Sequence, residues 1–164
     1  MNSLQKLIAF IGRAALSLMF ILSGFLKIFN WQEAEDSIRG VITNSLVTYQ
    51  EMGFVHDLLQ VSLDWIPTIL GVIVAVELVG GIMLFFGVRV RLASFFLLLY
   101  LVPATILLHS FWNIQGPERA VEMNMFAMGI SLCGALLILL SYGNPLSKSA
   151  KKSAHSKKGK HDED

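Results

Sequence analysis

The sequence predicts an all-α fold, namely a polytopic membrane bundle of four helices with an amphipathic outer loop and a disordered, basic C-terminal tail. Three observations support this prediction. Four segments of roughly 20 mostly apolar residues fill the chain, and the mean hydropathy is +0.62. Only 15% of the 164 residues are charged, whereas soluble domains carry about 25%. Three of the segments enclose an ionisable residue, at Arg13, Glu77 and His109.

The four apolar segments are predicted to span the membrane at about 7–29, 66–87, 91–112 and 123–142. A helix of about 20 residues crosses the ~30 Å hydrocarbon core of a bilayer. Four short spans make one compact unit, so we expect a single transmembrane domain over 1–143. Residues 144–164 are rich in lysine and poor in apolar side chains, which is typical of a disordered tail.

The basic residues predict the topology, since Lys and Arg in short loops stay on the cytoplasmic side. Lys6 and Arg13 lie at the N-terminal end, Arg89 and Arg91 lie between the second and third spans, and six lysines lie in the tail. All three groups share one side if both termini are cytoplasmic. The loop before the second span then lies outside. Its apolar residues at Ile38, Ile42, Leu46, Tyr49 and Met52 recur at helical spacing, which predicts an amphipathic segment.

A polar stripe on the first span predicts an intramembrane ion pair. Arg13, Ser17, Gly24 and Lys27 follow a helical spacing, together with Phe20, and therefore share one face. Glu77 lies near the middle of the second span, where a lone carboxylate needs a proton or a cation. Judged by depth, Arg13 is the best-placed cation, so we predict an Arg13–Glu77 pair. The pair either only locks two helices together or takes part in a proton or ligand path.

A second polar group is predicted at the outer rim of the bundle. We expect it to form an outer polar pocket from Lys27, His109, Trp112, Glu122 and Asn124. His109 is either a satisfied interfacial side chain or a group that titrates or hydrogen bonds a quinone, because its ordinary pKa lies near neutrality.

Small residues on the fourth span, at Ala127, Ser131 and Ala135, predict close helix packing there.

Several classes of site lack support in the sequence. Cys133 is the only cysteine, so the chain has no redox pair of thiols, and a small core residue is the simplest interpretation. No phosphate-binding glycine loop, H-E-x-x-H or Ser-His-Asp pattern is present. We therefore assign no metal site and no catalytic residues, and we expect no nucleic-acid partner.

The first span carries the motifs Gly12-Arg13 and Ser23-Gly24-Phe25-Leu26-Lys27, and the second carries Glu77-Leu78-Val79-Gly80-Gly81 with Gly87. Arg91 lies at the start of the third span, His109-Ser110-Phe111-Trp112 at its end, and Asn124 at the start of the fourth. These motifs in their order resemble the DoxX family of small four-helix bacterial membrane proteins, over about residues 7–143.

The resemblance implies a place in membrane redox chemistry. DoxX-like proteins are related to a subunit of thiosulfate:quinone oxidoreductase, and some join membrane oxidoreductase complexes. We therefore expect an accessory subunit of a redox-linked complex in a bacterial inner membrane, without independent catalytic activity. Its expected partners are the lipid bilayer and a membrane or periplasmic protein, and a quinone is the candidate cofactor.

Two alternatives come from other functional classes. One is a small proton-coupled transport component, with Glu77 as its titratable group and a break in the third span at Pro103. The other is a structural or assembly protein whose outer loop docks a partner.

Overall fold

The structure, a computed structural model, describes residues 2–142, so the predicted tail lies outside the described residues. Within this range the chain is all α-helical. We number the helices α1 (Ser3–Phe29), α2 (Trp31–Thr48), α3 (Gly53–Asp64), α4 (Ile66–Phe86), α5 (Val90–Leu108) and α6 (Glu118–Tyr142). A short 3₁₀ helix, Phe111–Asn113, follows α5.

The four predicted spans are confirmed as α1, α4, α5 and α6, each long and apolar enough to cross a membrane. In each span only 17–33% of the most apolar stretch is buried within the protein. The outward side chains are mostly large and apolar, as lipid requires and water would not tolerate. The fourth span, α6, begins at Glu118, five residues before its predicted start at 123.

Successive spans run in opposite directions, so the bundle has two distinct ends. We call the end that carries α2, α3 and the 3₁₀ helix the capped end, and the end that carries the α4–α5 connection the turn end. Helix α1 packs mainly on α4, α4 packs on α5, and α5 packs on α6. Ser3 and Tyr142 therefore both lie toward the turn end.

The α4–α5 connection is short because Gly87 ends α4 in the left-handed region, at φ +70°. The Gly87 amide donates to the Leu84 carbonyl, and the Val88 amide donates to the Met83 carbonyl. These two bonds form a Schellman motif, which satisfies carbonyls that the last turn of a helix leaves open. The buried core lies beside this connection and includes Phe20, Leu84, Val90, Ala93, Leu97 and Leu136.

The amphipathic segment of the outer loop is confirmed as α2, although its helix ends at Thr48 and does not continue to Met52. Its apolar side faces the bundle. Ile42 is buried, and α2 packs on both α4 and α5. Part of the apolar face of α2 therefore contacts the protein's own helices, and the docking of a partner by this loop stays a prediction.

The predicted packing of Ala127 and Ser131 is wrong, since both residues are exposed. The buried residues of α6 are Gly129, Cys133 and Leu136. A Cβ atom at Gly129 would lie only 2.5 Å from a methyl carbon of Thr105 on α5. The close contact between α5 and α6 therefore uses a different stripe of small residues on the same helix.

Candidate functional site

The centre of the bundle holds a buried ion pair between α4 and α1. Glu77 is 2% exposed, and its two carboxylate oxygens lie 2.8 and 2.9 Å from the ammonium nitrogen of Lys27. The Ser23 hydroxyl donates to the same carboxylate at 3.0 Å and accepts from Lys27 at 2.6 Å. Every oxygen of the buried carboxylate therefore has a donor, which an isolated charge in hydrocarbon would lack.

Glycines bring α1 and α4 close enough to form this pair. A Cβ atom at Gly24 would lie 2.8 Å from the Leu78 side chain and 3.5 Å from the Glu77 Cβ. One at Gly81 would lie 2.8 Å from the Ile21 side chain. Because these glycines have no side chain, the two backbones approach closely. Ser23 and Lys27 then reach across to Glu77.

The predicted stripe on α1 is confirmed, since its buried residues are Arg13, Ser17, Phe20 and Gly24. The cation that faces Glu77 is nevertheless Lys27 and not Arg13. Arg13 is ten residues before Ser23, which places its backbone about 15 Å further toward the turn end. Glu77 is therefore part of an ion pair, as predicted, but its partner is Lys27.

The prediction misjudged the depth of Lys27 because it placed the end of α1 at the outer rim. In the structure the Trp31 ring lies 3.9 Å from the Cβ position of Gly71, so the chain after α1 is level with Gly71. That residue is five positions into α4, about 7.5 Å from its start. Lys27 consequently lies inside the bundle, level with the middle of α4.

Tyr100 on α5 is a site residue that the sequence analysis missed. Its hydroxyl interacts with the Glu77 carboxylate. The available signal was its position, nine residues before His109 and away from both ends of the third span. A tyrosine hydroxyl at that depth needs a polar partner, because lipid offers none.

An apolar groove of about 840 Å³ lies between α2 and α3 on one side and α4 and α5 on the other. Lys27 and Tyr100 contribute charged and hydroxyl groups to its lining. Val72 and Leu99 also line the groove and are 59% and 62% exposed, so the groove is open on the lipid-facing side of α4 and α5. The groove therefore joins the bilayer to the central ion pair.

The capped end holds a second polar pair. The Nδ1 atom of His109 lies 2.8 Å from a carboxylate oxygen of Glu122, and both side chains are partly buried. Trp112 packs edge to face on Phe111 and Phe126. This aromatic cluster lies beside the pair and fixes the start of α6 against the end of α5.

The five residues of the predicted outer pocket are therefore divided between different places. Lys27 joins Glu77, whereas His109 and Glu122 pair with each other. Trp112 belongs to the aromatic cluster, and Asn124 is exposed. A cleft of about 200 Å³ nevertheless borders both polar centres, since Ser23, Glu77, Tyr100, Thr105 and His109 all contribute to its lining. Most of that lining is apolar, and Met128, which is 60% exposed, lies at its lipid-facing side.

Other chemistry has less support within residues 2–142. No group of three or more His, Cys, Asp or Glu side chains there could hold a metal ion. Cys133 is buried, as expected for a small core residue. Helix α5 continues through Pro103 from Val90 to Leu108, so the break expected for a transport component is absent from this span.

The fold and the site define a small four-span membrane protein with a buried ion pair beside a lipid-facing apolar groove. Residues 8–110 match the DoxX family. The chain belongs to this family, as the motifs of its first three spans predict. Comparison with curated proteins and with solved structures finds no match.

Proposed function

We propose that this DoxX family protein is an accessory membrane subunit of a redox-linked complex and that it holds a quinone in the groove between α2 and α4–α5. The observation that carries the proposal is the combination of an open apolar groove with the donors Lys27 and Tyr100 in its wall. Ligand sites typically combine an apolar lining with a few placed polar groups.

The chemistry of a quinone matches these features. Its ring carbonyls only accept hydrogen bonds. The ammonium of Lys27 and the hydroxyl of Tyr100 both contact Glu77 in this structure, so a bound quinone would share these donors with the carboxylate. Its isoprenoid tail is apolar, as is nearly all of the groove. The volume of about 840 Å³ lies within the ~300–1,000 Å³ range of small-molecule sites. Exposed Val72 and Leu99 leave a side entrance for a molecule that is dissolved in the bilayer.

A binding experiment distinguishes a quinone site from a lipid site. Quinones quench tryptophan fluorescence, and Trp65 lines the groove. Decylubiquinone is titrated into the purified protein in nanodiscs. Decylbenzene, which has the tail but no carbonyl and does not quench, is measured as a competitor of the quinone. Tyr100→Phe removes one donor, so we expect it to weaken quinone binding about tenfold, the equivalent of one hydrogen bond.

Two controls complete the experiment. Tyr142→Phe changes an exposed tyrosine that does not line the groove, and it should leave quinone affinity unchanged. Decylbenzene should not respond to Tyr100→Phe, since it accepts no hydrogen bond. Equal binding of both ligands, with no effect of Tyr100→Phe, would instead identify the groove as a site for lipid chains and contradict the proposal.

The accessory role is tested separately in the native membrane. Purification of the tagged chain in a gentle detergent should recover a flavin, haem or iron–sulfur enzyme at a fixed ratio, with quinone in the extract. Recovery of the chain without a redox enzyme would contradict the proposed role as a subunit of a redox-linked complex.

A further inference from the structure

Helix α3 and the residue that follows it carry an exposed apolar stripe. Its members are spaced by four, three and four residues and therefore lie on one face of the helix. Their exposed fractions are 59–82%, and they are Phe54, Leu58, Val61 and Trp65. Single exposed apolar side chains are normal on a protein surface, whereas a continuous row of large ones indicates a contact surface. The stripe therefore needs a partner other than water.

The other sides of α3 already have their surroundings. One side faces the protein, because α3 packs on α2 and α4 and both Leu59 and Ser62 are partly buried. Another side is polar and exposed, and it is formed by Asp57, Gln60 and Asp64. The apolar stripe lies between these two sides and belongs to neither. A helix that met only protein and water would need no third, apolar side.

Helix α3 lies at the level of the membrane surface. It continues directly into α4, so Trp65 stands where the chain enters a span, and tryptophan is enriched at that depth of a bilayer. The second half of α3 stays beside this span, since Leu59 lines the groove together with the exposed Val72 of α4. Helix α2, on which α3 packs, begins deeper still, because the Trp31 ring lies against Gly71, about 7.5 Å into α4. The pair of helices α2 and α3 is therefore held beside the bilayer.

We propose that α3 is an interfacial helix that lies along the bilayer surface at the capped end, with its apolar stripe among the upper acyl chains. Its partner is the lipid bilayer, because the stripe ends at Trp65 and meets the lipid-facing surface of α4 there. Such helices place their apolar side about 5–10 Å into the boundary between headgroups and acyl chains, with their polar side in water. The inference goes beyond the proposed function, since it requires neither a ligand in the groove nor a partner enzyme.

The charges of α3 make this contact apolar rather than electrostatic. Residues 53–65 contain two acids, one histidine and no lysine or arginine. Basic residues attract many interfacial helices to anionic lipid, and this helix has none. Its direct connection to α4 keeps it beside the bilayer without that attraction. Salt should therefore not release the helix, because salt screens charges and leaves the apolar contact in place.

Fluorescence quenching of single labels tests this placement. In a Cys133→Ser background the chain has no other cysteine. Leu58→Cys then carries a bimane label on the apolar stripe, and Gln60→Cys, two residues away on the exposed polar side, is its matched control. The labelled proteins are placed in nanodiscs that hold one copy each. A phosphatidylcholine with a nitroxide near the headgroup end of its acyl chain quenches labels in the bilayer, and iodide quenches labels in water.

We expect the label at position 58 to lose fluorescence to the nitroxide lipid and to be protected from iodide. The label at position 60 should show the reverse. Val61→Cys should follow position 58, and Asp57→Cys should follow position 60. All four positions are exposed in the structure, so the labels should leave the melting temperature unchanged. The pattern should persist at high salt, and its loss there would overturn the apolar contact.

Each contrary result overturns the inference and identifies a different surrounding of the stripe. Equal quenching by iodide at positions 58 and 60 would place the stripe in water. Protection of position 58 from both quenchers would show that protein covers it. Iodide quenching at position 58 that disappears only in densely loaded liposomes would identify a second copy of the chain as the partner. No quinone is added, so the failure of either proposal leaves the other intact.

Discussion

Removal of Lys27 should destabilise the bundle more than any other single change at the central site. Lys27→Met keeps the length of the side chain and deletes the cation that contacts both oxygens of Glu77. Glu77 is only 2% exposed, so water cannot replace the lost partner. Breaking a buried pair in this way costs about 3–5 kcal/mol. The Ser23 hydroxyl still donates to the carboxylate, which favours the lower part of that range.

The reverse change should cost less. Glu77→Gln leaves a side-chain carbonyl that accepts from Lys27, and the Lys27 side chain is 24% exposed. We expect a loss of about 1–3 kcal/mol, as for an impaired buried hydrogen bond. The double variant Lys27→Met with Glu77→Met replaces the pair by apolar side chains of similar size. Such replacements are often neutral, so the double variant should be far more stable than the sum of the single losses predicts.

The assay is a double-mutant cycle on the free energy of unfolding, measured by titration of a denaturing detergent into mixed micelles. Glu77→Met serves as the second single variant. A parallel cycle with Arg13→Met is the control. Arg13 lies about 15 Å from Ser23 along the axis, and sites more than ~7–10 Å apart usually give additive losses. Additive losses for Lys27 and Glu77, combined with coupling between Arg13 and Glu77, would refute the observed pairing and restore the one predicted from depth.

Two further predictions concern the glycines at helix contacts, and both are measured by thermal unfolding in detergent. Gly81→Ala should cost about 1–3 kcal/mol from overpacking, because its Cβ would lie 2.8 Å from a side chain of α1 and 3.3 Å from backbone atoms of that helix. Gly12→Ala, with no atom within 4 Å, should not destabilise, and equal effects would contradict the close α1–α4 contact. Gly129→Ala should lower the melting temperature because its Cβ would lie 2.5 Å from Thr105, and Thr105→Ala in the same chain should restore part of the loss. Gly134→Ala has open space, and a similar loss there would show that α6 packs differently.

The sequence predicted the spans and the buried stripe of α1 because both depend on one helix at a time. Apolar length defines a span, and helical spacing places Arg13, Ser17, Phe20 and Gly24 on one face. Local periodicity was sufficient for these two features. His109 and Glu122 were predicted at one level, as members of a five-residue pocket. Their contact with each other at 2.8 Å was not predicted.

The partner of Glu77 depends on how far α1 is shifted along its axis relative to α4. Helical periodicity gives no information about this shift. Depth counted from the end of α1 puts Lys27 at the rim, but the glycine contacts set Gly24 against Glu77 and Leu78. The same ambiguity affected α6. Two stripes of small residues lie on that helix, and only the fit to Thr105 selects the one through Gly129. Tertiary packing decided both choices.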